Sequence, residues 1–251
     1  MFLLLLAACD TLPGSPDDTG DTGDTGGFAL TSEECLALTP VSFGACYSGD
    51  TLTADSAGDY VTDIDATVVS IGRGTVPETC GWEVGNARLR EGDEGLVVTL
   101  VDADGGAWTV GLDVPGLSDT FLAVGDAVSF RAVYDTNSPW VPDNRGFVLS
   151  NAQGAPLLAL EDAGWIDDLP LPDIAVAPGD AVCSVIDDPC GEYFRHDIEV
   201  TVGGATGTVP FAGQADIGGL RVLHGGYDAF DGDTQCQDWI PNDIAIALLA
   251  R

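Results

Sequence analysis

The sequence predicts an all-β protein, an antiparallel sandwich or barrel stapled by disulfides, built as one sandwich or as two small β units, with a single short helix near its N-terminus. Three observations carry that expectation. Runs of four to eight β-branched, aromatic and aliphatic residues recur along most of the chain, a composition that suits a pleated, half-buried surface. Gly, Asp and Asn separate the runs, and these residues tolerate the backbone angles that tight turns demand. Finally, six cysteines (35, 46, 80, 183, 190 and 236) are spread over the same region, as in exported domains where disulfides persist.

The elements follow in order. Thr31-Ser32-Glu33-Glu34 has the form of a capping box, in which the Thr31 hydroxyl and the Glu34 carboxylate satisfy amide donors at the start of a helix. Pro40 stops that helix early. Strands are then expected at ATVVSI (66–71), LVVTLV (96–101), AWTVGL (107–112), AVSFRAVY (127–134), FVLS (147–150) and LLAL (157–160). The DADGG between the second and third predicts a hairpin, since Asp and Gly accept positive φ. Residues 162–173, DAGWIDDLPLPD, alternate acidic and apolar residues around two prolines and predict a linker or long crossover. This divides a β domain over 31–165 from a second β unit, or a continuation of the same sandwich, over 166–251. That second part holds AVCSVI (181–186), DIEVTV (197–202), GTVPF (207–211), GLRVLH (219–224) and DIAIALLA (243–250). GDAV occurs at 125–128 and again at 179–182, in each case predicting a turn that feeds a strand. In strand count, residues 59–160 loosely resemble a five-stranded OB barrel; a fold resemblance of that kind carries no function.

Charge narrows the function classes. With 41 acidic residues against 8 basic ones the net charge is −33, which repels nucleic acid and anionic lipid. All eight basic residues are Arg: 73, 88, 90, 131, 145, 195, 221 and 251. A GC-rich genome, a saline habitat or a cationic partner would each produce such a balance. No run of about 18 apolar residues follows Cys9, so no spanning helix is expected.

The N-terminus is more informative. An apolar stretch from Phe2 leads to Leu6-Ala7-Ala8-Cys9, which resembles the lipobox of bacterial lipoproteins. The resemblance implies that residues 1–8 are the remnant of a signal peptide, that Cys9 is acylated and becomes the first mature residue, and that the chain is held to a bilayer in the bacterial cell envelope. No basic residue precedes the apolar stretch, and the stretch is shorter than a complete signal; a Lys- or Arg-containing leader is therefore expected upstream. Residues 9–30 form the tether. From Thr11 to Gly27, Asp, Thr, Gly, Ser and Pro dominate, and such a segment buries too little surface to offset its ordering entropy. Three Asp-Thr-Gly triplets begin at Asp18, Asp21 and Asp24. Aspartic proteases also carry Asp-Thr-Gly, but theirs follows buried strands, and no apolar strand precedes these. A period of three is not the alternate spacing that aims several oxygens at one calcium ion. The triplets are read as a spacer.

With Cys9 acylated, the resemblance leaves an even six cysteines, which allow 15 pairings. The shortest loop favours Cys183 with Cys190, because Asp-Asp-Pro between them is a turn sequence; Cys35 with Cys46 and Cys80 with Cys236 complete the set. Zinc is disfavoured by the lack of any C-x-x-C and by the presence of only two histidines.

Three kinds of site are candidates. Two acidic segments have the composition of a calcium loop: Asp135, Asn137, Asp143 and Asn144, and Asp228, Asp231 and Asp233. Neither has the EF-hand spacing. Trp140, Trp165 and Trp239 each sit among Pro and Asp, where an exposed ring could stack on a sugar or a peptide; Trp82 and Trp108 read as core. For catalysis no residue is assigned. The sequence has no G-x-S-x-G, no H-E-x-x-H and no phosphate loop. His196 with Asp197 and His224 with Asp228 are conceivable acid–base pairs, but no nucleophile is marked. The expected function is that of an envelope-anchored lipoprotein with a binding or structural role toward a protein or glycan. The alternative is a secreted hydrolase of glycan or peptide acting through carboxylates.

Overall fold

The structure, a computed structural model, describes residues 28, 30–48, 53–54, 60–77, 82–84, 89, 91–135, 143–161, 174–187, 191–226, 228–232 and 245–251. One helix, α1 (Ser32–Ala37), precedes sixteen described strands. These are β1 (Gly44–Ser48), β2 (Thr53–Ala54), β3 (Tyr60–Thr75), β4 (Trp82–Val84), β5 (Glu94–Asp102), β6 (Ala107–Asp113), β7 (Ala127–Asp135) and β8 (Asp143–Asn151). There follow β9 (Pro156–Glu161), β10 (Ile174–Asp187), β11 (Gly191–Val202), β12 (Ala205–Val209), β13 (Gln214–Ile217), β14 (Leu220–Gly226), β15 (Asp228–Gly232) and β16 (Ala245–Ala250). Every pairing among the described residues is antiparallel. The protein is all-β with one short N-terminal helix, as its sequence predicts.

The capping box forms. The Glu34 amide donates to Thr31 Oγ1 at 3.3 Å and the Thr31 amide to Glu34 Oε2 at 2.9 Å. The Thr31 amide and the Thr31 hydroxyl, which also donates to Glu34 Oε2 at 2.9 Å, hold the Glu34 carboxyl below its ordinary pKa, the backbone bond contributing most.

Twelve strands make one sheet in the order β13-β14-β16-β9-β8-β7-β3-β5-β6-β1-β4, with β2 paired to β3. The order does not return on itself, so the OB-like closed barrel is replaced by an open sheet. A second sheet runs β10-β11-β12, with β15 also on β11. Segment 166–251 contributes to both sheets, because β13, β14 and β16 extend the first.

Side-chain alternation sets the layers. On β5, Leu96, Val98 and Leu100 turn inward; on β6, Trp108, Val110 and Leu112; on β7, Val128, Phe130 and Ala132. Tyr47, Phe130 and Phe147 meet at the centre, with ring centroids 5.2 Å apart for Tyr47–Phe130 and 5.6 Å for Phe130–Phe147. The outward face is polar, as at the opposed pair Asp63 and Arg131, which are joined by a salt bridge.

LLAL and the AIALLA of β16 show no alternation, and packing explains why. Leu158, Leu160, Ala247 and Leu249 face the first core, whereas Ala159, Ile246 and Leu248 face a second core shared with Ile198, Val200 and Val209. The second sheet covers the back of β8, β9, β14 and β16, so these strands are buried on both sides. A continuous apolar run is the expected signature of that position.

Turns follow local chemistry closely. Asp102 Oδ1 accepts from the amides of Asp104 (3.0 Å) and Gly106 (2.7 Å), and Gly105 takes φ 86°. Asn151 repeats the arrangement in the β8–β9 hairpin: its Oδ1 accepts from Gln153 and Ala155, both at 3.0 Å, and Gly154 takes φ 79°. Each is a three-residue loop ending in a left-handed glycine, a common hairpin form. The two GDAV segments, by contrast, differ. Gly125 turns at φ 97° and donates to the Val68 carbonyl, as expected of a turn feeding a strand. Gly179 and Asp180 lie inside β10, where the register against β11 slips between Pro178 and Cys183. The second GDAV is thus a bulge and not a turn, and the apparent repeat is a coincidence of composition.

Gly203-Gly204 and Gly218-Gly219 close the β11–β12 and β13–β14 hairpins with both central residues at positive φ. Gly218 is required twice over. Its φ is 57°, and a Cβ there would stand 2.5 Å from the Val202 carbonyl oxygen. Gly218→Ala is expected to cost about 2 kcal/mol, combining left-handed strain with overpacking. Gly219→Ala, with φ 89° but open space around it, is expected to cost about 1 kcal/mol. Urea midpoints of the two variants check this; equal losses would mean that the contact with Val202 is not felt.

The disulfide pairing departs from the local expectation. Cys35 on α1 is bonded to Cys183 on β10, 148 residues away, with the Cα atoms 5.7 Å apart. Both the Cys183–Cys190 and Cys35–Cys46 pairings are therefore corrected. Register explains the first: Arg195 lies opposite Cys183, and the β10–β11 hairpin reverses only beyond Asp187. Layering explains the second. Helix α1 packs on the second sheet, where Cys35, Cys183, Val185, Leu30 and Leu38 form a small cluster. Cys46 instead belongs to the first sheet, is itself disulfide-bonded, and is buried with Val76 and Leu89. The Cys80–Cys236 pairing lies outside the described residues, as does Cys190. Arg195 reinforces the α1 contact by donating to the carbonyls of Cys35 and Leu38 while its guanidinium lies over the Phe211 ring.

Candidate functional site

Beyond β6 the chain makes a series of turns. Val114-Pro115-Gly116-Leu117 has Pro and Gly where a type II turn takes them; Gly116 has φ 77°, and Leu117 donates to the Val114 carbonyl at 3.1 Å. Ser118 Oγ then accepts from the Thr120 amide at 3.2 Å and bonds the Thr120 hydroxyl at 2.7 Å. The Asp126 carboxylate closes the connection by accepting from Ala123 at 2.8 Å. The loop is therefore held by its own hydrogen bonds.

This loop forms one wall of a cleft of about 340 Å³, and the far end of the first sheet forms the other. Leu117, Phe121 and Leu249 give it apolar surface, Ser118 and Thr120 give hydroxyls, and Arg221 and Arg251 give positive charge. Cross-strand register brings the second wall together, since Arg221 on β14 lies opposite Asp216 on β13 and Leu249 on β16. Arg221 Nε stands 3.4 Å from Asp216 Oδ1, and Arg251 Nη2 stands 2.7 Å from Asp216 Oδ2. Two guanidiniums share one carboxylate, so Asp216 offsets only one of the two positive charges. The three side chains are 34, 54 and 45% exposed for Arg221, Arg251 and Asp216, and ion pairs so open to water hold weakly. The site can receive an anionic group next to an apolar one.

Nothing local in the sequence marks this cleft. VPGL was a legible turn signal, but nothing local announces that Arg221 and Arg251 meet. Their approach depends on the pairing of β13, β14 and β16.

The residues that the sequence does single out are placed as follows. Cys9 and the tether as far as Gly27 lie outside the described residues, and so do Trp140, Trp165, Trp239, Asn137 and Asp233; the last residues assigned to the tether are described in part, with the Phe28 ring 5.9 Å from that of Phe194 and the Leu30 amide donating to the Val182 carbonyl at 3.3 Å. Trp108 is buried in the first core, and its Nε1 donates to Asp102 at 3.4 Å. Asp228 and Asp231 fall on β15 and not in a loop; they are three apart, an odd separation along a strand. Asp135 and Asp143 are backbone partners across β7 and β8, and Asn144 faces Tyr134. Among the described residues no three His, Cys, Asp or Glu side chains gather as metal ligands, and no helix is long and apolar enough to cross a membrane.

Of the two histidine pairs, the Asp228 side chain lies outside the described residues, and the other members are placed as follows. His196 Nδ1 lies 3.0 Å from the Gly179 carbonyl, at the β10 bulge, while Asp197 Oδ1 accepts from the Phe211 amide at 2.8 Å. His224 is fully buried, stands edge-on to Phe211 and bonds the Pro210 carbonyl at 3.2 Å. No protein-family model, no curated protein and no solved structure matches the chain.

Proposed function

We propose that the chain is an envelope lipoprotein, anchored to a bilayer through an acylated Cys9 and carrying a β-sandwich ectodomain whose role is to bind a ligand or a partner. The observation that carries this is the buried Cys35–Cys183 disulfide. A disulfide of this kind persists in an oxidising compartment, which is where a chain with Leu6-Ala7-Ala8-Cys9 would be delivered. The acidic, Gly-rich segment between Cys9 and α1 would then serve as the spacer. The net charge of −33 disfavours nucleic acid as the partner and leaves proteins, glycans and small molecules. The cleft supports binding over hydrolysis, because its lining is arginine and hydroxyl where a carboxylate-based hydrolase needs convergent acids.

Mass spectrometry of the native protein tests the reading. The expected N-terminal peptide begins at Cys9 and carries a diacylglyceryl group, and Cys9→Ala is expected to leave the precursor uncleaved and without lipid. A native chain beginning at an unmodified Met1 would overturn the anchoring.

A further inference from the structure

We propose that the cleft between the 116–121 loop and the ends of β14 and β16 binds a small monocarboxylate that carries an apolar group. The inference deepens the reading of the ectodomain as a binding protein and names the ligand class for one site.

Scarcity of positive charge makes the cleft distinctive. The chain has eight arginines against 41 acids, and two of the eight line this one cleft. Elsewhere Arg131 faces Asp63 across β3 and β7, and Arg195 holds the carbonyls of Cys35 and Leu38. Here Arg221 meets Asp216 through Nε only, and its two terminal nitrogens have no acceptor among the described residues. Nη1 would lie 3.3 Å from a Cβ on Gly116, which places the outer end of the guanidinium against the opposite wall of the cleft. The planar Nη1–Nη2 edge is the geometry that receives a carboxylate through two parallel hydrogen bonds.

The remaining lining sets the rest of the ligand. Leu117 and Leu249 are almost fully buried and close the cleft from within, while Phe121, packed against the first core, stays partly exposed and presents the apolar surface. An apolar group on the ligand would displace water from the Phe121 ring. The volume, about 340 Å³, is at the small end of ligand sites, which span about 300 to 1,000 Å³, and suits a compact molecule. One negative charge is favoured over two. The whole protein is acidic, and Asp119 sits in the loop between Ser118 and Thr120; a second charge on the ligand would meet repulsion without a second free guanidinium edge.

Calorimetric titration of the full chain with 3-phenylpropionate tests this, with 3-phenylpropanamide and inorganic phosphate as comparators. The expected result is saturable binding of the carboxylate with Kd of about 0.1 to 1 mM, and the amide and phosphate at least about tenfold weaker. Arg221→Gln is expected to weaken the carboxylate about tenfold, a loss of the order of one charge-assisted pair. No binding at about 10 mM carboxylate, equal binding of the amide, tighter binding of phosphate, or unchanged binding by Arg221→Gln would each overturn the inference. The comparison among the three probes needs no variant and stands if Arg221→Gln does not fold. Lipid on Cys9 without carboxylate binding would overturn this inference alone, whereas carboxylate binding by a chain with unmodified Cys9 would overturn the anchoring alone.

Discussion

Replacing Cys35 and Cys183 together with Ala is expected to lower the stability of the protein by roughly 4 kcal/mol, with the fold otherwise kept. The bond closes a loop of 148 residues, and the chain-entropy cost of leaving such a loop open in the unfolded state approaches about 5 kcal/mol. Cys46 is in a further disulfide, so the unfolded chain stays partly cross-linked and the loss falls short of that limit. Alanine is the better replacement, because both sulfurs are fully buried and a serine hydroxyl would be stranded there. The local effect is larger than the global one. Helix α1 has six residues, too few to persist in water by itself. Without the bond it is held by its capping box, a few apolar contacts and the two carbonyl contacts from Arg195. Urea unfolding checks the prediction: the midpoint should fall and the m-value should rise, since a chain without the cross-link exposes more surface when unfolded. A loss below about 1 kcal/mol would mean that the bond chiefly fixes α1 in place.

How much of this was legible in the sequence depended on the range of the forces involved. Interactions closed within a few residues were readable. The Thr31–Glu34 capping box, the DADGG hairpin and the Gly125-Asp126 turn all stand where their residues put them. NAQGA at 151–155 carries the same Asx-and-glycine chemistry as DADGG and could have been read in the same way. Strand identity was readable for a related reason, since Leu96, Val98 and Leu100 alternate with half-buried neighbours whatever they pair with. What the sequence did not show was which strands meet. LLAL and AIALLA announced burial on both faces without naming the second sheet that covers them. GDAV looked alike at two places, but Gly125 sits at a chain reversal and Gly179 lies against Asp197 of a neighbouring strand. The disulfide misled for the same reason: a short loop is the cheaper closure, but register had already placed Arg195 opposite Cys183. The cleft is the extreme case, because β13, β14 and β16 have to pair before Arg221 and Arg251 share Asp216.

Acidification is expected to remove roughly 3 kcal/mol of stability between pH 6.5 and pH 4, and His224 is the group responsible. It is the buried polar residue of the β14 strand, fully enclosed. A carbonyl can only accept, so the 3.2 Å bond to Pro210 places the proton on Nδ1, and Nε2 is left buried with no hydrogen-bond partner. Burial therefore pushes the imidazole from its ordinary 6.5 down to about 4, outweighing the opposing pull of the Pro210 carbonyl and the Asp197 charge. The sign follows from proton binding. Between pH 4 and 6.5 the unfolded chain takes up a proton that the folded protein refuses, so stability is fully present above about 6.5 and falls as the pH is lowered. Below about pH 4 both states are protonated and this contribution becomes flat. The surroundings offer no way out, because the ring is fixed edge-on to Phe211, which itself carries the Arg195 guanidinium on its face. The carbonyl that His224 uses is presented by a turn with Ala212 at φ 57°, the one described residue other than glycine with positive φ. Pro210 also accepts from the Gly213 amide at 2.9 Å, so His224→Leu leaves no orphaned carbonyl. That variant is expected to flatten the stability profile from pH 5 to 6.5, above the ordinary carboxylate range, and to match or exceed the parent at pH 5. Urea midpoints measured across this window decide the matter; an unchanged slope in His224→Leu would place the acid sensitivity elsewhere.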